Sequence, residues 1–273
     1  MFRPQKDKRP RMCLILFAHR ASDDYPLVVA ANRDEFHDRP TAPAQLWQDH
    51  PGLLAGRDLQ AGGTWMGIHR NGRFAAITNF RDPARTVAAP RSRGELTTRF
   101  LLGDASPQDF LGELQAAAGD YAGFNLLLGA GDELWYFSNS ATGPAATPRP
   151  LAPGIYGLSN ALLDTPWPKV ERGKQALTGV LAARDIDHER LATVVTDRQL
   201  ASREQLDLQG LNGEMAQLLS AQFIVNPRYG TRATTTCWRD ATGTFHWREQ
   251  TIGADGGTKG AVELELATQP DCE

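Results

Sequence analysis

Short apolar runs separated by turn-forming residues dominate the N-terminal part of the sequence. They are Cys13–Ala18, Leu27–Ala31, Thr64–Ile68 and Phe74–Thr78. Short runs bounded by turns are typical of β-strands. Between the last two runs lies Asn71-Gly72, a pair that tolerates positive φ and therefore favours a tight hairpin. The region from 13 to 80 is predicted to be mostly β.

Helical and strand-like segments then follow one another in blocks. A helix is predicted to begin at Ser106, because this N-cap residue is followed by Pro107 and by an acid at Asp109. After residue 80, the first predicted block has two helices, Arg93–Leu102 and the helix that begins at Ser106, and is followed by strands at Phe124–Leu128, Leu134–Phe137 and Ile155–Leu158. Further helices are predicted at Pro168–Ala183 and within Ile186–Val195 and Leu211–Leu219. The last predicted block has strands at Ala233–Trp238, Thr244–Gln250 and Val262–Ala267. This order predicts an α+β fold of layered sheets with helices outside, rather than alternating βαβ units.

Composition and charge exclude several classes of protein. The formal net charge of −3 gives no support to nucleic acid or an anionic membrane as a partner. No apolar run reaches the roughly 18 residues of a membrane-spanning helix. The three cysteines are widely spaced and form no C-x-x-C pair, and the six histidines show no metal-binding spacing. We therefore expect a cytoplasmic protein without a metal or cofactor; the sequence leaves open whether it forms a homo-oligomer.

The first eleven residues, MFRPQKDKRPR, are basic and precede a second methionine, Met12. They are followed by too short an apolar stretch for a signal peptide, and they lack the serines of a transit peptide. We interpret residues 1–11 as a non-native or removed N-terminal extension. Residues 12–273 are predicted to form a single domain.

Cys13 has two interpretations. If Met12 is the initiator and is removed, Cys13 becomes the first residue and carries a thiol and a free α-amine on one carbon. Reference pKa values of about 8.5 for a thiol and about 7.7–8.0 for an α-amine let the amine act as base near neutral pH. The alternative is an inert core residue, because cysteine is among the most buried residue types.

Four polar residues, Asn32–Glu35, directly follow the apolar run Leu27–Ala31. An arginine and two acids at the end of a strand can position the α-amine of Cys13 and stabilise the charge of its thiolate. The alternative is a solvated loop whose ion pairs contribute little to stability. The glycine-rich segment Asp58–Gly67 leads to a strand rather than a helix, so it is interpreted as a turn or as backbone that approaches a ligand beside Trp65.

The tetrapeptide Asn32-Arg33-Asp34-Glu35 is the name-giving motif of the NRDE family, the transport and Golgi organisation protein 2 family, and the chain resembles that family over nearly its whole length. The other matching segments are Met12-Cys13, Gly62–Gly67, Thr78–Arg81, Gly157–Asn160, Pro166–Val170 and Tyr229–Arg232. The family in turn looks like the cysteine N-terminal-nucleophile hydrolases, in particular penicillin V acylases and bile salt hydrolases. That resemblance implies a four-layer αββα sandwich of two antiparallel sheets.

The resemblance also implies a catalytic set. Its members are Cys13, Arg33, Asp34, Glu35, Asn79, Asn160 and Arg232. Cys13 would attack a linear or cyclic non-peptide amide to form an acyl-enzyme, and Asn79 and Asn160 would stabilise the oxyanion. The acylases have Arg-x-x-Asp where this chain has Asn-Arg-Asp-Glu, so it is open which of Arg33, Asp34 and Glu35 orients the nucleophile.

The same resemblance supports a second function of a different class. What is claimed for eukaryotic relatives implies a non-catalytic binding or trafficking protein for a lipid, acyl-CoA or haem-like ligand on the same fold. Either function requires a substrate or ligand pocket, for which Trp65, Phe80 and Trp167 are the predicted lining. A small-molecule amide or a lipid-like ligand is thus the expected partner.

Overall fold

A computed structural model describes residues 12–80, 89–207 and 214–268 of the chain. Its strands are β1 (Cys13–His19), β2 (Leu27–Phe36), β3 (Thr41–Leu46), β4 (Leu53–Asp58), β5 (Met66–His69), β6 (Phe74–Asn79), β7 (Phe124–Ala130), β8 (Glu133–Ser138), β9 (Arg149–Pro150), β10 (Gly154–Leu158), β11 (Tyr229–Arg239), β12 (Phe245–Ile252) and β13 (Thr258–Leu266). Its helices are α1 (Gly94–Leu102), α2 (Pro107–Ala117), α3 (Pro168–Ala182), α4 (His188–Thr193), α5 (Arg203–Asp207) and α6 (Glu214–Leu218).

The strands form two antiparallel sheets. One has six strands in the order β10-β1-β2-β11-β12-β13, and the other has seven in the order β3-β4-β5-β6-β7-β8-β9. In the six-stranded sheet, β1 and β2 are interior strands, and every residue of both is buried. This explains why their sequences read as continuous apolar runs rather than as an alternating pattern.

Three apolar cores separate four layers. Side chains of successive strand residues point to opposite faces of a sheet, so β1 contributes to two of these cores. Ile15 and Phe17 pack between the two sheets, with Leu54, Leu127 and Trp247 among their neighbours. Leu14 and Leu16 pack instead beneath α3 and α4, against Val170, Leu177 and Leu191. The third core lies between the seven-stranded sheet and α1 and α2, and includes Leu96, Phe100, Leu111, Leu126 and Leu128. The predicted αββα sandwich of antiparallel sheets is confirmed.

Local sequence signals predicted several element boundaries correctly. The side chain of Ser106 accepts a hydrogen bond from the backbone N–H of Asp109, so α2 begins as predicted. β5 and β6 pair as a hairpin, and Gly72 in the connecting turn has a φ of 82°. Only glycine adopts this conformation without a steric cost, which accounts for the Asn-Gly pair.

Other boundaries differ from the prediction. β2 continues to Phe36 instead of ending at Ala31, so the residues Asn32–Glu35 belong to a strand and are not a loop. β11 begins at Tyr229 rather than Ala233, because pairing with the extended β2 carries both strands further. The edge strand β3 was not predicted, since it contains Pro43 and is mostly exposed. The predicted helix at Leu211–Leu219 lies partly outside the described residues, and its described part contains α6. None of the described helices is long and apolar enough to cross a membrane.

Candidate active site

Cys13 is the first residue of β1 and faces the space between the two sheets. Its Cα partner on β2 is Arg33. Both residues line a cavity of about 170 Å³, to which Trp65 and Ile77 add an apolar wall. The thiol is thus buried but next to a space that a small molecule can occupy.

Asn160 holds the backbone of Cys13. Its Oδ1 accepts a hydrogen bond from the backbone N–H of Cys13 at 2.9 Å, and its Nδ2 donates to the backbone oxygen of Asn79 at 2.7 Å. The neighbouring Ser159 donates from Oγ to the backbone oxygen of Cys13 at 2.8 Å. The predicted residues Asn79 and Asn160 are therefore brought together with Cys13, and the buried Ser159 also holds the Cys13 backbone.

Alternation along β2 divides the polar tetrapeptide between two sides of the sheet. Arg33 and Glu35 share the face of Cys13 and line the cavity. Asn32 points toward the helices, where its Nδ2 donates to the backbone oxygens of Val195 and Gln222 at 2.7 and 2.9 Å. Asp34 follows the same parity as Asn32, although it still borders the cavity. Neighbouring residues of one motif therefore have different environments.

Asp34 is a buried carboxylate with few partners. Its Oδ1 accepts a hydrogen bond from the hydroxyl of Thr231 at 2.8 Å, and its Oδ2 has no hydrogen-bond partner among the described residues. Burial raises the pKa of Asp34, while the charge of Lys169 opposes the increase. The hydroxyl of Tyr229 lies close by and donates to the backbone oxygen of either Met12 or Asp34.

The environment of Cys13 disfavours the thiolate. Burial raises the pKa of the thiol to about 12, and the Asp34 carboxylate adds to the increase. The backbone N–H of Asp34 and the guanidinium of Arg33 lower it. In this structure the nitrogen of Cys13 is still part of the peptide bond to Met12, which is 2% exposed.

Arginines and carboxylates form a chain along the rim of the cavity. Arg33 and Arg39 both approach Glu35, at 4.0 and 3.7 Å, and Arg39 binds Asp58 through two nitrogens. Arg232 donates from Nη1 to the backbone oxygens of Phe36 and Arg39. The predicted Arg232 thus lines the cavity and also ties β11 to the end of β2.

The three aromatic residues predicted to line a pocket lie in different places. Trp65 borders the cavity. Trp167 does not, because it caps α3 on the helix side of the six-stranded sheet and is buried with Met12 and Val170. Phe80 is also absent from the lining; its backbone N–H donates to the oxygen of Gly123 at the end of β6. The cavity wall is therefore more polar than the predicted aromatic pocket.

Two buried charged residues near the site were not predicted. Lys169, in α3, has a pKa that burial lowers and that Asp34 and Cys13 raise. Glu249, in β12, lines the cavity and accepts a hydrogen bond from the backbone N–H of Ala44 at 2.7 Å. Lys169 stands in a segment that matched the NRDE family, but nothing local in the sequence shows that its ammonium is buried. In the described ranges no group of three or more His, Cys, Asp or Glu residues is arranged to hold a metal ion.

The fold and the site together define a class: an αββα sandwich with a cysteine at the start of a central strand, facing a polar cavity between the sheets. The chain belongs to the Transport and Golgi organisation 2 family, whose model matches residues 12–254. Arg81, part of one matching motif, lies outside the described residues.

Curated relatives match along most of their length. The chain is 35% identical over 265 residues to a Transport and Golgi organization protein 2 homolog of Bos taurus, covering 89% of this chain and 95% of that protein. It is 34% identical to the Homo sapiens homolog, over 88% of this chain and 93% of the relative. Identity to the Drosophila melanogaster Transport and Golgi organization protein 2 is 24%, over 88% and 92%.

Among solved structures, a Caenorhabditis elegans N-acylethanolamine-hydrolyzing acid amidase ortholog matches 82% of this chain and 92% of its own. The TM-score is 0.37 and the sequence identity 11%. A likeness of this size carries no inference about the chemistry of the present chain.

Proposed function

We propose that this protein is a cysteine amidohydrolase that acts on a non-peptide amide through Cys13. The observation that carries the proposal is the position of Cys13: its side chain borders the cavity between the sheets, and Asn160 Oδ1 accepts its backbone N–H at 2.9 Å. A nucleophile needs both access to a substrate and a fixed geometry, and this residue has both.

The proposed reaction requires Cys13 to be the mature first residue. Removal of Met12 converts the backbone nitrogen of Cys13 from an amide into an α-amine next to the thiol. The amine takes the thiol proton as the sulfur attacks the amide carbonyl, and it returns that proton to the leaving amine. Water then attacks the thioester, which releases the acid and restores the thiol.

The neighbouring residues have matching proposed roles. Asn160 and Asn79 would stabilise the oxyanion of the tetrahedral intermediate, since a side-chain amide donates N–H groups and Asn160 bonds the backbones of both Cys13 and Asn79. Arg33 would favour the thiolate, because its guanidinium lowers the pKa of Cys13. Asp34, rather than Glu35, would hold the amine, since only Asp34 has an oxygen without a hydrogen-bond partner among the described residues.

The test is acylation of Cys13 in protein translated from Met12. Intact mass first establishes whether the chain begins at Cys13, and a p-nitrophenyl acyl ester then reports covalent transfer. We expect one acyl adduct, located at Cys13 and lost in Cys13→Ala. The matched control is Cys237→Ala, which removes the other buried thiol of the described chain and should keep the adduct. Retention of residues 1–11 in the native protein, or an unmodified Cys13, would exclude the hydrolase.

The second candidate is ligand binding without turnover, by the form that retains Met12. The raised pKa of Cys13 in the intact chain favours it, because a neutral buried thiol is a poor nucleophile. Because the rim of the cavity is charged, it would contact the polar head group of a lipid-like ligand rather than its acyl chain. In this candidate function, the lipid-like or haem-like ligand would bind in the same cavity. Saturable binding of an acyl-CoA or haem to protein that shows no Cys13 adduct would support it.

A further inference from the structure

Lys169 is a cation buried on the helix side of the strand that carries Cys13. It is the second residue of α3 and is 1% exposed. An ammonium has three N–H bonds to donate, yet within the described chain Nζ donates to one acceptor, the backbone oxygen of Leu219 at 3.0 Å. A positive charge near a helix N-terminus also opposes the helix dipole. An apolar side chain would avoid both costs, so packing alone does not account for this lysine.

Asp34 supplies the opposite charge. It is 2% exposed, and its Oδ2 lacks a hydrogen-bond partner among the described residues. Burial lowers the pKa of Lys169 and Asp34 opposes this, while burial raises the pKa of Asp34 and Lys169 opposes that. Each charge therefore favours the ionised form of the other residue, although no Lys169–Asp34 ion pair closer than 4.0 Å forms in the described structure.

The two charges lie next to the candidate nucleophile. Asp34 follows Arg33, the Cα partner of Cys13, and its backbone N–H acts to lower the pKa of the Cys13 thiol. Cys13 in turn acts on the pKa of Lys169. The titratable and charged groups facing this cluster from β1, β2, β11 and α3 are Cys13, Arg33, Asp34, Glu35, Tyr229 and Lys169.

We propose that Lys169 is a positioning residue for Cys13: it keeps the Asp34 carboxylate ionised, and that carboxylate holds the α-amine of the mature chain. The role of the amine rests on the proposed function. The coupling of Lys169 and Asp34 to the thiol does not, since it belongs to the folded chain with or without turnover. The two parts can therefore fail separately.

The coupling is measured by the rate at which iodoacetamide alkylates Cys13 as a function of pH, in a Cys237→Ala background. The variants are Lys169→Met, Asp34→Asn and the double variant; the matched control is Lys259→Met, an exposed lysine on β13. A buried charge without its partner is costly, so removing either Lys169 or Asp34 should leave the other residue neutral. All three variants should therefore have the same alkylation midpoint, the pH at which the rate reaches half its maximum. That midpoint should lie about one pH unit below the midpoint of the parent protein, since the Asp34 carboxylate raises the thiol pKa. Near neutral pH, this shift corresponds to roughly tenfold faster alkylation. Lys259→Met should match the parent.

Two results would overturn the coupling. One is an alkylation midpoint that is unchanged in Lys169→Met but shifted in Asp34→Asn. The other is a shift in the double variant that equals the sum of the shifts in the two single variants. Lys169→Gln keeps a donor for the Leu219 oxygen without the charge, so it replaces Lys169→Met if the latter does not fold, with the same expected midpoint. Acyl transfer from the p-nitrophenyl ester separates the function. Slower acylation together with faster alkylation in the folded variants supports the positioning role. Unchanged acylation refutes that role even if the coupling stands, and a parent that is never acylated refutes the proposed function alone.

Discussion

Asn160 makes the contact on which the site most depends, because it joins β1 to the end of β6. Its side-chain amide bonds the backbone of Cys13 on one side and of Asn79 on the other. These segments are far apart in sequence, and Asn160 itself follows β10. The backbone of the proposed nucleophile, Cys13, is thus held by a residue that belongs to neither of the strands it joins.

Asn160→Ala should slow acylation of Cys13 by roughly 10²–10³-fold, the cost of losing one oxyanion donor. The measurement is the rate constant for transfer from the p-nitrophenyl ester at equal folded fraction. Asn139→Ala is the control, since Asn139 also bonds the backbone on two sides, at Phe124 and Ala118, but away from the cavity. It should lower stability and leave acylation unchanged. A parental rate in Asn160→Ala would remove the residue from the proposed catalytic set.

At the scale of elements, the contact between α3 and β1 supports the floor of the site. Gly173 lies where the helix crosses β1, and a Cβ there would be 2.1 Å from Leu16 Cδ1. Gly173 is therefore a requirement of close packing, although glycine is a poor helix former. The same helix carries Lys169, so this packing also sets the depth of the buried charge.

Gly173→Ala should lower the free energy of unfolding by about 1–3 kcal/mol, as expected for overpacking. The same helix offers a matched control in Gly179, whose added Cβ would contact nothing within 4 Å. Gly179→Ala should instead raise stability by about 0.5–1 kcal/mol through helix propensity. Urea unfolding measures both, and equal effects in the two variants would contradict the close approach of α3 to β1.

The turn between β11 and β12 has its own pH dependence. Burial raises the pKa of Asp240, but hydrogen bonds from Thr242, His246 and Thr244 outweigh this and lower it to about 2. A depressed carboxyl pKa stabilises the fold above the unfolded value of about 3.9, and this contribution disappears as the pH falls through the folded value.

Asp240→Asn should therefore reduce the loss of stability between about pH 4 and pH 2, with Asp23→Asn, an exposed substitution, as the control. The measurement is the free energy of unfolding in urea across that range. Identical pH slopes for Asp240→Asn and the parent would show that the hydrogen bonds do not stabilise the ionised form.

At the scale of the whole molecule, the six-stranded sheet joins two of the cores. Alternate residues of β1 and β2 pack against the other sheet and against the helices, so neither core is complete without these strands. The cavity beside Cys13 lies between the two sheets and depends on both. Loss of either layer would therefore remove the site.

Thermal unfolding of residues 12–273 should follow one cooperative transition, because the shared strands couple the layers. Calorimetric and van't Hoff enthalpies are expected to agree, and near- and far-ultraviolet circular dichroism should change together. Two resolved transitions would contradict the prediction of a single domain.

The candidate site shows what could be predicted from the sequence and what could not. The NRDE tetrapeptide and its matching segments identified seven catalytic candidates; six of them line one cavity, and the seventh, Asn160, bonds Cys13 directly. The division of Arg33 and Asp34 between two faces was missed, because β2 was predicted to end at Ala31. Trp167 was placed in the pocket because aromatic content says nothing about which side of a sheet a residue covers.

The sequence by itself determined the blocks of strands and helices, the hairpin at Asn71-Gly72 and the start of α2, because periodicity, turn preference and capping are local properties. Tertiary structure alone decided the cavity, the burial of Lys169 beside Asp34 and the bond between Cys13 and Asn160. That bond joins residues separated by 147 positions. Such contacts arise from strand pairing and layer packing, so they depend on the whole chain and leave no signal in any one segment.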